Sequence, residues 1–219
     1  MNRIKFELTS EFIEYFGIKL FRIRALIDFA NVEAGELGGY VEKEENLSHE
    51  GNAWVYGDAR VYGNAWVYGD ARVYGNAWVC GDARVYDNAW VCGDARVCGD
   101  ARVYGNAWVC DNARVYGYAR VCDNAWVYDN AWVCGDARVC GDARVYGNAD
   151  YTTIKGFGTV ARSTTFFRCA DKTVKVACGC FLGTIDQFRE QVKNTRSGKI
   201  AKEYLMIADL MEYHFGGEG

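Results

Sequence analysis

The chain has 219 residues, half of them apolar and a quarter charged, with a formal net charge of −4. That is enough material for one or two domains with real cores, and it excludes a disordered tail. So small an acidic excess excludes the basic footprint of a general nucleic-acid binder and lends no support to an acidic nucleic-acid mimic.

The N-terminus lacks a charged segment followed by an apolar one, and no apolar run nears the ~18 residues of a membrane span. A chain without a standard export signal or a membrane helix is the expectation. Seven of the ten cysteines fall at one position of an internal repeat, where they exchange with tyrosine. That is how a medium-sized apolar filler behaves, and it points to a reducing cytoplasm. Proline is absent, which suits a backbone whose amides are committed to ladders.

In chain order, residues 1–38 carry the β-rich runs "RIKFEL", "EFIEYF" and "KLFRIRAL" and read as a hairpin cap. Residues 39–149 read as one solenoid. Val41 and Leu47 stand six apart, in phase with Ala53, so the repeat is expected to begin before it becomes visible. From Gly51 to Tyr146 run sixteen hexads in which position 3 is always Ala and position 5 always Val. Position 1 is Gly or Asp, position 4 Trp or Arg, position 6 Tyr or Cys, and position 2 nearly always Asn or Asp.

Positions 3 and 5 alternate with 4 and 6, which puts Ala and Val on one face of a short strand. A Gly-Asn or Gly-Asp corner every six residues tolerates left-handed backbone. Strand and corner repeated without a reversal signal define a parallel β-solenoid. Three hexads per coil would make a triangular prism of six coils, about 30 Å tall at roughly 4.8 Å per rung. Cysteine spacing does not select that coil length.

Outside the prism, Asp at position 2 accompanies Arg at position 4, as in Asp58/Arg60, and Asn accompanies Trp, as in Asn52/Trp54. Each such Arg is expected to pair with the carboxylate two residues before it. On an 18-residue coil the early repeats stack Trp on Arg, in reach of cation–π contact. The alternation fails from Arg96 onward. There Arg84, Arg102, Arg120 and Arg138 would form one ladder, and Trp90, Trp108 and Trp126 another. Arg114 and Arg120 alone lack the Asp, with Asn112 and Tyr118 in its place. Arg102, Tyr118, Arg120 and Arg138 are therefore the candidate site for an anionic, nucleotide-like ligand. Trp90, Trp108 and Trp126 are the candidate exposed apolar face for self-association or a protein partner.

Residues 150–219 read as a small α+β module. "TTFFRC" and "KTVKVACGCF" are strands around an "ADK" turn, "TIDQFREQVKN" opens with capping-box spacing, and "KIAKEYLMIADLMEYHF" is amphipathic. Cys169 with the "CGC" pair falls short of the four ligands of a structural zinc site, so no metal is expected.

The aliphatic and small-residue spacing of "VYGDAR" resembles the left-handed β-helix of hexapeptide-repeat transferases. Residues 21–63, "FRIRALIDFANVEAGELGGYVEKEENLSHEGNAWVYGDARVYG", resemble the N-terminal signature of an uncharacterised bacterial and prophage hexapeptide-repeat family. "TTFFRCADKTVKVACGCFLGTIDQFREQV" and "AKEYL" are similar to the ending of its members. The resemblance implies a left-handed β-helix and supplies no activity. Acyltransferases of this fold work through a histidine base, whereas this chain has only His49 and His214, both outside the hexads. His49 falls at an inward position 5 and reads as a packed residue. The expectation is a protein without catalytic residues or cofactor, acting as a scaffold or interaction protein.

Overall fold

The computed structural model describes residues 4–158 and 161–216. Its centre is a parallel β-solenoid of about six turns. Positions 4 and 5 of the sixteen hexads form two-residue strands, β4 (Trp54–Val55) through β19 (Arg144–Val145). Trp54 pairs with Arg72 and Trp90 with Trp108, a register of 18 residues and so three hexads per coil. Each coil donates to the next, as Trp54 N–H does to the Ala71 carbonyl (3.0 Å) and Tyr56 N–H to that of Val73 (2.8 Å).

Three parallel sheets result, which we name by their position-4 residues. The arginine sheet carries Trp66, Arg84, Arg102, Arg120 and Arg138. The tryptophan sheet carries Trp54, Arg72, Trp90, Trp108, Trp126 and Arg144. The mixed sheet carries Arg60, Trp78, Arg96, Arg114 and Trp132. All three share one core in which every position-3 Ala and position-5 Val is buried. Burial of each Val contributes about 1.5–3 kcal/mol.

Corners explain position 1. All sixteen residues there have positive φ, the glycines between 60° and 73°. A Cβ on Gly51 would stand 2.4 Å from the Gly69 carbonyl oxygen. Aspartate takes this position at 87, 111, 123 and 129. The Asp87 and Asp123 carboxylates use it to accept the Gly105 and Gly141 N–H of the next coil.

Position 2 corrects the expected Asp/Arg pairing. Among the described residues no ion pair joins a repeat arginine to the aspartate of its own hexad. Asparagine amides instead donate to the position-2 residue one coil on, Asn52 to Asp70 (2.8 Å), Asn64 to Asp82 (3.0 Å) and Asn76 to Asp94 (3.1 Å). The corner turns position 2 away from its own arginine and stacks it on its counterpart. An amide on a carboxylate is a good bond there, while Asp on Asp would repel.

The first coil also departs from expectation. Val41 and Leu47 pair with Val61 and Val67, so they occupy position 5 rather than the phase of Ala53. Their pairing distance exceeds 18 by two residues, and the extra pair is absorbed in the corner holding His49. "RIKFEL" and "EFIEYF" are one bulged strand, β1 (Phe6–Tyr15), antiparallel to β2 (Ile18–Ala25). β3 (Leu37–Val41) carries this hairpin onto the mixed sheet. Lys5 plugs the open end, its buried ammonium donating to the Ala53 carbonyl (2.8 Å). Burial lowers its pKa to about 8, against an opposing pull from Asp70.

At the far end lies the antiparallel sheet of β20 (Tyr151–Phe157), β21 (Arg162–Arg168), β22 (Val174–Cys178) and β23 (Phe181–Thr184). It is followed by helices α1 (Ile185–Thr195) and α2 (Gly198–Gly216). Thr184 and Gln187 form the expected capping box. Phe166, Phe188, Tyr204 and Met211 centre a second core, while Phe167 and Cys169 close the solenoid core.

The cysteine filler reading is corrected as well. Cys80–Cys98 and Cys92–Cys110 are disulfides across neighbouring coils. Stacking at 18 residues brings their Cα atoms to 4.6 and 4.5 Å, inside bridging range.

Candidate interaction face

The hexads hold each arginine of the arginine sheet between a buried Ala and a buried Val, so the side chain projects from the wall. In-register pairing then stacks Arg84, Arg102, Arg120 and Arg138 on consecutive rungs, as the 18-residue coil requires. Position 6 runs a parallel column beside them. Tyr68, Tyr86 and Tyr104 stack at 4.8 and 5.0 Å with rings 4° and 3° from parallel. Partial burial raises the pKa of all three phenols, so they remain hydroxyl donors at neutral pH. Cys122 and Cys140 continue that column, both buried.

The nine repeat arginines divide into two groups. Arg60 and Arg96 lie over the Trp78 ring, Arg72 over Trp90, Arg114 over Trp132 and Arg144 over Trp126. Arg138 donates to the Gly179 carbonyl (2.7 Å). The guanidinium groups of Arg84, Arg102 and Arg120 have no hydrogen-bond, ion-pair or aromatic partner among the described residues, and all three are exposed. Unit charges ~4 Å apart repel by about 1 kcal/mol in water and about 4 kcal/mol at a surface-like dielectric.

On the other flank of this column stand Asp82, Asp100, Tyr118 and Asp136. Asp82 accepts from Asn64. Asp136 is paired by Lys155 of β20, whose contact holds the carboxyl below the usual range. Tyr118, 65 % exposed, occupies the place beside Arg120 where the pattern would put a carboxylate. The structure therefore stacks three of the four candidate residues, Arg102, Arg120 and Arg138, on one sheet, with Tyr118 in the corner that precedes Arg120.

The aromatic candidate differs from expectation. Trp90, Trp108 and Trp126 do stack, at 4.6 and 5.5 Å. They are half-buried rather than an open patch, because Arg72 and Arg144 cover the two ends of the stack. The exposed tryptophans are Trp66 and Trp132, at 40 % and 49 %.

His49 sits in the irregular corner, not inward in the core. It accepts from Lys5 N–H (3.1 Å), contacts the Glu44 carboxylate (2.6 Å) and stacks on Phe6. His214 packs against Phe215 on α2. Cys169 lies in the solenoid core while Cys180 is exposed, and "CGC" does not gather with Cys169.

Two features escaped the sequence reading. Cys122, Asp123 and Cys140 bring their sulfur and oxygen atoms within 4.8 Å of one another; the 18-residue separation of the two cysteines is the signal, once the coil length is known. Met206, Leu210 and Tyr213 form an exposed stripe on α2 at helical spacing.

Sheets, register and repeats define the class: a β-solenoid repeat protein, mainly β, with a small antiparallel sheet and two helices at its C-terminal end. The repeat family described as YdcK beta solenoid repeat matches residues 53–69, 65–81, 78–93, 95–111, 119–135 and 137–149. These segments lie in the hexads and the first turn beyond them. No curated protein matches the chain. No described helix is long and apolar enough to cross a membrane.

Proposed function

We propose that this β-solenoid is a non-enzymatic interaction scaffold that holds an acidic protein partner along the arginine column. In this reading it winds left-handed on a triangular section, like the hexapeptide-repeat proteins it resembles. It is of phage or prophage type. The observation that carries the docking role is the group of three exposed guanidiniums, Arg84, Arg102 and Arg120, without partners among the described residues, where the other six repeat arginines each meet an aromatic ring or a backbone carbonyl. A column of guanidiniums at strand spacing suits an extended acidic segment, since each rung offers a carboxylate a planar fork. Support for a non-catalytic role comes from His49, whose ring nitrogens are both engaged.

A second reading is favoured by Tyr118. An exposed hydroxyl in the corner before Arg120, with Asp136 drawn to Lys155, suits a small anionic, nucleotide-like ligand. One titration separates the two, using poly-L-glutamate, ATP and inorganic phosphate as probes at low salt. Docking of an acidic segment predicts poly-L-glutamate binding that falls about tenfold in Arg102→Gln/Arg120→Gln and is unchanged in Arg72→Gln. Saturable ATP binding lost in Arg120→Gln, with poly-L-glutamate indifferent to the arginines, would shift the function to the small ligand. Binding that no arginine substitution alters removes both readings and leaves self-association, read by the concentration dependence of mass in solution.

A further inference from the structure

The 18-residue coil sorts six of the seven position-6 cysteines into three stacked pairs, one on each sheet. Cys80/Cys98 lies on the mixed sheet, Cys92/Cys110 on the tryptophan sheet and Cys122/Cys140 on the arginine sheet. Backbone bonding is the same in all three. Cys80 N–H donates to Val97 (2.9 Å), Cys92 N–H to Val109 (2.9 Å) and Cys122 N–H to Val139 (3.0 Å). The first two pairs are bridged and the third is open.

The third pair also differs in its surroundings, and both of its thiols are buried, at 1 % and 0 % exposure. Tyr104 stands one coil before Cys122, its hydroxyl in reach of the sulfur, and the Arg138 guanidinium lies beside both thiols. The Asp123 carboxylate lies 3.6 Å from the Cys122 sulfur. The Tyr104 hydroxyl and the Arg138 guanidinium favour the Cys122 thiolate, the Asp123 carboxylate opposes it, and the thiolate is the attacking form.

We propose that Cys122 and Cys140 are a redox-active dithiol set into the arginine sheet, which a peroxide oxidises to a third inter-coil disulfide. The Cys122 thiolate attacks one peroxide oxygen, the O–O bond breaks, and the other oxygen leaves as hydroxide, which takes up a proton to become water. Cys122 is then a sulfenic acid. The Cys140 sulfur attacks it, the S–O bond breaks, and the departing hydroxide takes the Cys140 proton as a second water. Two electrons pass from the sulfurs to the peroxide, and one S–S bond forms. Hydrogen bonding from Cys140 and Tyr104 and the Arg138 charge lower the Cys122 pKa against burial and the Asp123 carboxylate, while the same contact and burial raise that of Cys140. Cys122 is thus the sulfur disposed to attack peroxide, and Cys140, stacked one coil on, is placed to resolve the product.

The test uses the full chain in a Cys134→Ser background, because Cys134 shares a tryptic peptide with Cys122. The protein is reduced, desalted, treated with equimolar hydrogen peroxide, alkylated and mapped without reductant. The expected product is peptide 121–138 joined to peptide 139–144, reversed by dithiothreitol. In Cys140→Ser, Cys122 should instead accumulate as sulfenic and then sulfinic acid several-fold faster than in the parent. The proposal is overturned if Cys122 and Cys140 stay alkylatable while the other two pairs close. It is overturned equally if Cys122 over-oxidises at the same rate with and without Cys140. Thiols that resist both reagents until a chelator is added would make the cluster a metal site, not a dithiol.

Discussion

The tryptophan and arginine sheets are built from one phrase, share one core and differ only in what stacks on what. On the tryptophan sheet every arginine lies between or beside indoles, and the central three indoles stack on one another. On the arginine sheet four guanidiniums follow one another with no ring between them. Cation–π and ring stacking stabilise the first arrangement, whereas like charges at strand spacing work against the second. The contrast teaches that, in a solenoid, composition within a hexad matters less than the order of hexads modulo three. Substitutions should accordingly weaken one face and leave the other indifferent or improved.

The largest expected effect is on the tryptophan side. Trp108 sits between Trp90 and Trp126, half-buried. Trp108→Ala should cost about 2–3 kcal/mol in urea unfolding, below the full cost of a wholly buried indole. A loss under about 0.5 kcal/mol would break the assignment of this column to stability.

A pH titration sharpens the comparison by placing the proton-sensitive element on neither face. The folded pKa of Lys5, about 8, lies below the ordinary lysine value of 10.5. Below the folded pKa both states carry the proton and the buried ammonium burdens the fold. Between the two values the unfolded chain binds more protons, so stability rises with pH. From pH 8 to 10 Lys5 should contribute a gain of about 2 kcal/mol, which Lys5→Met should remove. The Cys140 and Cys169 thiols, whose pKa is raised, act in the opposite sense within that window, and the phenols only above their unfolded value near 10. Parent and Lys5→Met curves that coincide across it would show that the plug does not feel its burial.

How much of this was legible beforehand follows from the same modular order. Ala and Val at fixed positions specify the inward face, and once 18 residues are taken as the coil, both ladders follow by counting. Spacing alone left the coil length open; the register Trp54–Arg72 settles it. Three readings failed for one reason, that they looked along the chain rather than across coils. Asp58 and Arg60 are neighbours in sequence, but the carboxylate of Asp58 turns to Arg22 of β2 (3.9 Å). Cys80 and Cys92 looked like fillers because their partners stand three hexads on. Val41 and Leu47 slipped phase because the corner at His49 holds two more residues than a hexad allows. The α2 stripe is visible as spacing, yet which of its faces packs on α1 depends on tertiary contact.

The smallest expected effect is the most discriminating, because it is a difference of sign. Arg72 is flanked by Trp54 and Trp90 and lies 5.5 Å over the Trp90 ring. Arg72→Gln should therefore destabilise by about 0.5–1 kcal/mol. Arg102 is flanked by Arg84 and Arg120, and Arg102→Gln removes one charge from a repelling column while keeping its aliphatic stem. It should stabilise by about 0.5 kcal/mol at low salt. The gain should shrink as ionic strength rises toward ~1 M, where the screening length falls to about 3 Å. Two losses of equal size would mean that the guanidiniums of the arginine sheet are held by contacts as good as those on the tryptophan sheet. A gain at Arg102 that salt erases would instead identify a charge column kept at a cost to the fold, which is what a surface reserved for an anionic partner requires.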